Sequence, residues 1–111
     1  MVNFHTINRQ IQSIERMNKL MQRKGSQDDP DLRKIFISVV DDLRRTQEEL
    51  KPMLEALEDQ EQKLIMTLRF LKGYGFLRIS EQLNVSERLV YLYMKKAKTN
   101  LMEMFPGKIE F

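Results

Sequence analysis

The chain has no cysteine and a single histidine among its 111 residues. Without cysteine it can form neither disulfide bonds nor a cysteine-ligated zinc site. His5 alone offers little for catalysis, so we expect neither an enzyme nor a bound cofactor or metal. A metal-dependent nuclease built on Asp28, Asp29 and Asp31 is a weak alternative, because no base or lysine accompanies these aspartates.

Long apolar runs are also missing. No stretch approaches the roughly 20 apolar residues that cross a bilayer, and no secretory leader pattern opens the sequence. We therefore expect a soluble, cytoplasmic protein that does not contact membranes.

Charge is unevenly distributed along the chain. Residues 1–25 carry five Lys or Arg against one acidic residue, residues 26–62 five against eleven, and residues 63–111 nine against four. Two basic ends therefore flank an acidic middle, as expected if one part of the protein touches a polyanion and another does not.

Only three prolines and four glycines interrupt the chain, and good helix formers are abundant. No period-two alternation runs long enough to require a strand. We predict an all-α fold: an N-terminal helical hairpin or coiled-coil extension, residues 1–51, followed by a helix-turn-helix bundle, residues 52–111.

The first segment, about residues 4–24, has the spacing of a helix that buries one residue at every third or fourth position. These positions are Phe4, Ile7, Ile11, Ile14, Asn18 and Met21, of which Asn18 is polar. Gly25 and Ser26 should end this helix, and the linker through Asp29 should lead to a helix that starts at Pro30, capped by Asp28 or Asp29.

The second segment repeats this spacing, at Leu32, Phe36, Val39, Leu43, Thr46, Leu50, Met53 and Leu57. Pro52 should cause a boundary or kink at Lys51. The two seams suit an antiparallel hairpin within one chain or a zipper between two chains, and through these helices we predict a homodimer.

Beyond Pro52 the pattern predicts three further helices. Asp59 and Gln62 resemble a capping box at the start of a helix, and Gly73 should end this helix in a left-handed cap. Its apolar face consists of Leu64, Ile65, Leu68 and Leu71. A short helix spans Phe76 to Leu83, Asn84 takes the tight turn, and Ser86 caps a last helix from Glu87 to about Met104. Inward positions of that helix are Val90, Met94, Ala97 and Leu101. This outline is that of a helix-turn-helix.

The stretch LIMTLRFLKGYGFLRISEQLNVSERLVYLYMKKAKTNL resembles the fourth conserved region of bacterial sigma factors. The matching positions are Leu68, Arg69, Phe70, Gly73, Phe76, Ile79, Ser80, Glu81, Leu83, Val85, Ser86, Lys96, Ala97, Lys98 and Leu101. Asn84 stands where that family usually has glycine, and Leu92 and Tyr93 where it has small or polar residues. With no other sigma region present, the chain is similar to small transcriptional regulators of phages and prophages of Gram-positive bacteria.

The resemblance implies binding of double-stranded DNA, with the last helix in the major groove. On its outer face, Arg88 could donate two hydrogen bonds to guanine, Leu92 could touch a thymine methyl group, and Glu87 could accept from cytosine. Phosphate contacts are expected from Arg78, Ser86, Tyr91, Lys95, Lys96 and Lys98. The alternative is a protein-interaction module that binds RNA polymerase or another regulator through Leu92, Tyr93 and the acidic middle.

Overall fold

The structure, a computed structural model, describes residues 1–23 and 30–110, and five α-helices make up most of this part. They are α1 (Phe4–Met21), α2 (Pro30–Glu55), α3 (Gln60–Met66), α4 (Phe76–Leu83) and α5 (Glu87–Met104), and a π-helical turn (Thr67–Leu71) follows α3 directly. Two short strands, β1 (Val2–Asn3) and β2 (Ile109–Glu110), pair in parallel with Val2 opposite Ile109. The predicted all-α class is confirmed.

Helices α1 and α2 form an antiparallel hairpin within the chain. The amino group of Met1 lies 3.3 Å from the Glu49 carboxylate, and Ile11 and Leu43 line one recess further along the pair. The buried residues of α1 lie in its first half, and those of α2 begin at Leu43. The other end of the hairpin, where Ile35 is 56 % exposed, therefore contributes little to the core.

Two expectations for the hairpin were wrong. Helix α2 runs through Pro52 and ends at Glu55, so no helix boundary lies at Lys51, and the kink given as the alternative stays a prediction. Pro52 is exposed and lies in the last turn, and burial of its neighbours Met53 and Leu54 offsets the loss of one backbone hydrogen bond. Asn18 is exposed rather than inward, because it lies beyond the part of α1 that the core covers.

Several predicted helix boundaries lie outside the described residues. They are the helix end at Gly25 and Ser26 and the cap at Asp28 or Asp29. Helix α1 ends at Met21 rather than near residue 24, and α2 begins at Pro30 as predicted.

One hydrophobic core joins the two parts of the chain. The rings of Phe4 from α1 and Phe70 from the π-helical turn pack with their centroids 4.7 Å apart. Fully buried side chains from every helix surround this pair, among them Ile7, Leu50, Leu54, Ile65, Met66, Ile79, Val90 and Leu101. The position of the helix-turn-helix is therefore set by packing against α1 and α2 as well as by its own turns.

Helix α3 begins as predicted, with the Asp59 carboxylate accepting from the backbone N–H groups of Glu61 and Gln62. The reciprocal half of a capping box is not formed, because the buried Gln62 side chain accepts a hydrogen bond from the Asn100 amide at 2.9 Å. Leu64, predicted to face inward, is 44 % exposed, while Ile65 and Met66 are buried.

The helix-turn-helix follows the predicted boundaries. Gly73 has a φ of 76° and ends the π-helical turn in the left-handed region, and α4 spans Phe76–Leu83. Asn84 has a φ of 55°, a conformation that asparagine tolerates better than most residues. Ser86 then caps α5, whose Val90, Met94, Ala97 and Leu101 are buried as predicted.

Candidate nucleic-acid interface

The outer face of α5 is open to solvent along its first four turns. Arg88, Lys95 and Thr99 are exposed, and Tyr91 and Leu92 expose 53 % and 41 % of their surface. The four buried positions of α5 point the opposite way, into the core. No described part of α1 or α2 covers this face, so the helix is free to contact a partner along its N-terminal half.

The start of α5 is built to hold its first turn in place. The Ser86 Oγ atom accepts from the Leu89 N–H at 3.1 Å, which leaves the Ser86 hydroxyl proton free to donate to an anion. Glu87 follows in the first turn and is exposed. Its carboxylate interacts favourably with the helix dipole but opposes a phosphate at the same place.

Cations on this side of the molecule lack acidic partners. Within the described residues, Arg88, Lys95 and Lys96 form no ion pair. Arg78, on α4, is exposed and its guanidinium lies 3.7 Å from the centroid of the Tyr74 ring, which holds its side chain on the protein surface. The charge of these four residues is therefore available to an anionic partner.

Two shallow recesses flank the outer face of α5. One, of about 360 Å³, lies towards α3 and is lined by Gln62, Leu92, Lys95, Lys96, Thr99 and Asn100. The other, of about 120 Å³, lies towards α4 and is lined by Phe76, Tyr91, Met94, Lys95 and Lys98. Lysine and apolar side chains therefore lie next to one another on the outer face of α5.

Lys98 lines the second recess but is less exposed than Lys95 and Lys96. Its side chain is half-buried, and its ammonium group lies 5.5 Å from the Phe4 ring centroid and 5.6 Å from that of Phe70. Burial, and then repulsion from Arg69, lower the pKa of Lys98. The phosphate contact of Lys98 stays a prediction: its ammonium group lies near the Phe4 ring of α1, while its side chain also lines the recess beside Tyr91 and Lys95.

Tyr93 also faces away from the outer surface. It is half-buried, and a hydrogen bond from its hydroxyl group to the Glu61 carboxylate raises the pKa of Tyr93. Its side chain packs against the hydrophobic core. Tyr93 therefore supports the packing of the helix rather than its exposed face.

Arg69 is a positioning residue whose contacts the sequence did not reveal. Its guanidinium donates to the Tyr74 carbonyl oxygen at 3.0 Å and to the Asn8 Oδ1 atom at 2.9 Å, and lies 5.6 Å from the centroid of the Phe76 ring. Burial lowers the pKa of Arg69, and the nearby Glu15 partly opposes this shift. Arg69 thus joins α1, the turn before α4 and the start of α4.

Residues 47–101 match the family described as Sigma-70, region 4. The matched segment starts in the second half of α2 and ends at Leu101 in α5, so it contains the whole helix-turn-helix and the helices that support it. No curated protein and no solved structure gives a match to the chain.

The region 4 match indicates a DNA-binding role connected with transcription. It includes Arg78, Glu87, Arg88, Tyr91, Leu92, Lys95 and Lys96 and leaves α1 outside. In the described residues, no group of three or more His, Cys, Asp or Glu side chains could hold a metal ion, and no helix has the length and apolar content needed to cross a membrane.

Proposed function

We propose that the protein is a sequence-specific DNA-binding regulator of transcription that inserts the N-terminal half of α5 into the major groove. The observation that carries this proposal is the exposed outer face of α5, where Arg88, Lys95 and Lys96 have no acidic partner in the described part of the chain. The match to Sigma-70, region 4 supports the same placement.

The proposed contacts divide into two kinds. Phosphates would be contacted by Arg78, Lys95 and Lys96 and by the hydroxyl groups of Ser86 and Tyr91. These contacts fix the register of the helix but carry no sequence information. Arg88, as the second residue of α5, would reach base edges and could donate two hydrogen bonds to guanine. In this arrangement Glu87 would accept from a cytosine amino group.

A salt titration of binding to random duplex DNA tests this proposal. With three cationic phosphate contacts in each bound chain, affinity should fall about fortyfold between roughly 50 and 200 mM salt. Lys95→Ala should reduce the slope of log K against log salt by about one, because one phosphate contact is lost.

The matched control is Lys34→Ala, which removes the same charge from an exposed position in α2. We expect the slope of this variant to equal that of the unchanged protein. Binding that is insensitive to salt, or that Lys34→Ala weakens as much as Lys95→Ala does, would contradict the proposal.

A homodimer remains part of the proposal, with a changed contact surface. Phe4, Ile7 and Ile11 of the predicted seam are buried in the core of their own chain, so they are not available to a partner. Leu20, Ile35 and Ile37 expose about half of their surface at the far end of the hairpin and could pair two chains. Ile35→Glu should then lower the mass measured by sedimentation equilibrium.

A second candidate function is docking on RNA polymerase or on another regulator. It is favoured by a recess of about 460 Å³ between α3 and α5 that Glu58, Asp59 and Glu103 line together with Leu57 and Met104. Its acidic character suits a basic partner rather than DNA. The origin in a phage or prophage of a Gram-positive bacterium rests on the sequence resemblance and stays a prediction.

A further inference from the structure

Two large apolar side chains lie in the middle of the cationic face of α5. Leu92 is 41 % exposed and Tyr91 53 % exposed, while Arg88 lies one turn before them and Lys95 one turn after. A soluble helix normally carries polar residues at such outward positions. Their presence among cations calls for a partner that is both anionic and, at one point, apolar.

A duplex meets this requirement more closely than a protein surface does. Phosphates would engage the cations around Leu92, whereas the centre of a protein–protein interface is generally depleted of lysine and other charged residues. On the major-groove edges of the bases, the only apolar group is the C5 methyl of thymine. Leu92 is the sixth residue of α5, within the first two turns that a recognition helix places against base edges.

We propose that Leu92, flanked by Tyr91, makes the protein select thymine by contact with its C5 methyl group. This inference rests on the proposed function and adds a specificity-determining residue to it. The open recess beside Leu92, lined also by Lys95, Lys96 and Thr99, leaves room for a methyl group to approach the side chain. The lysines on its rim would hold the adjacent phosphates.

Replacement of thymine by deoxyuridine tests this contact directly. The tightest-binding duplex is first selected from a random pool, and each of its thymines is then replaced in turn. The replacement removes one methyl group and keeps the Watson–Crick pair. At one or two positions, affinity for the full-length protein should fall about fourfold, the value expected for one buried methyl group.

The Leu92→Ala variant should bind the thymine and uracil duplexes equally at those positions. Met102→Ala is the matched control, because Met102 lies on the same helix and is similarly exposed, at 44 %, but is nearly three turns further from the start of α5. We expect the control to keep the fourfold difference. Leu92→Gln keeps a side chain of similar length but makes it polar. This variant should also bind the thymine and uracil duplexes equally, which would show that the loss of side-chain volume alone is not the cause.

The outcomes separate the two proposals. Equal affinity of the unchanged protein for every thymine and uracil duplex, with binding still strongly salt-dependent, would overturn the methyl contact and keep the proposed function. Discrimination that persists in Leu92→Ala would also overturn the contact. No salt-dependent binding to any duplex would overturn both.

Discussion

Single side chains in this protein have roles that depend on which side of a helix they occupy. Lys95 and Lys98 are three residues apart on α5, yet Lys95 is exposed whereas Lys98 lies over the rings of Phe4 and Phe70. The side of α5 on which a basic residue lies therefore decides whether its charge faces solvent. The difference arises because α1 packs against one side of the helix-turn-helix and leaves the other open.

Arg88→Ala should relax the preference for one base pair without unfolding the protein. Arg88 is exposed, so its removal should change the melting temperature little, whereas the loss of a bidentate contact to guanine should cost about 1–3 kcal/mol of discrimination. Affinities for duplexes that differ at that base pair, with thermal melting of the same samples, measure both effects.

Arg45→Ala provides the comparison, since Arg45 is an exposed arginine on α2 far along the chain from the proposed interface. The base preference of the Arg45→Ala variant should equal that of the unchanged protein. A large drop in melting temperature for Arg88→Ala would show that Arg88 is structural and not a base-reading residue.

Individual elements show what periodicity can and cannot predict. Helices α4 and α5 begin and end where the spacing, the cap at Ser86 and the turn at Asn84 predict, because these signals are local. The face of α3 was predicted less well. The buried face of α3 and the following turn consists of Gln62, Ile65, Met66 and Phe70, so it is rotated from the predicted face and leaves Leu64 exposed.

Burial of a polar residue is a further feature that apolar spacing misses. Gln62 is buried because Asn100, from α5, donates a hydrogen bond to its side-chain oxygen. Such a pair forms only where α3 and α5 approach each other, and its two residues lie 38 positions apart in the sequence. The same holds for Arg69 and Asn8, whose contact joins α1 to the π-helical turn.

The π-helical turn should depend on Gln47. The Gln47 Nε2 atom donates to the Phe70 carbonyl oxygen at 2.9 Å, with Leu71 at 3.5 Å, and so satisfies backbone groups that the irregular turn leaves open. Gln47→Ala should lower the free energy of unfolding by about 1–2 kcal/mol, because a partly buried carbonyl loses its donor.

Denaturant titration measures this loss, and Gln82→Ala at an exposed position of α4 serves as the control. The control should stay within about 0.5 kcal/mol of the unchanged protein. Equal stability of the two variants would show that Gln47 does not support the turn.

At the scale of the whole molecule, the hairpin and the helix-turn-helix share one core. Val2, Phe4, Ile7 and Ile11 pack in the same cluster as Phe70 and Leu101. The division into a packing region, residues 1–51, and a DNA-binding region, residues 52–111, stays a prediction about function. Removal of α1 would take buried side chains out of this core, so point substitutions test the hairpin better than truncation does.

The sequence revealed the all-α class, the helix-turn-helix and the exposed side of α5, because these follow from spacing, caps and turn residues. It could not show that the apolar residues of α1 pack within their own chain, since a hairpin within one chain and a zipper between two chains fit the same spacing. The packing of Phe4 against Phe70 and the recess shared by Ile11 and Leu43, both within one chain, distinguish the two for the first half of α1.

The central claim is that duplex DNA binds along the outer face of α5. Backbone amide chemical shifts, followed residue by residue while a selected duplex is added, test it most directly. We expect the largest changes at residues 86–96 and around Arg78, with little change at residues 30–43 of α2. Changes concentrated around Glu58, Asp59 and Glu103, or none on α5, would contradict the account.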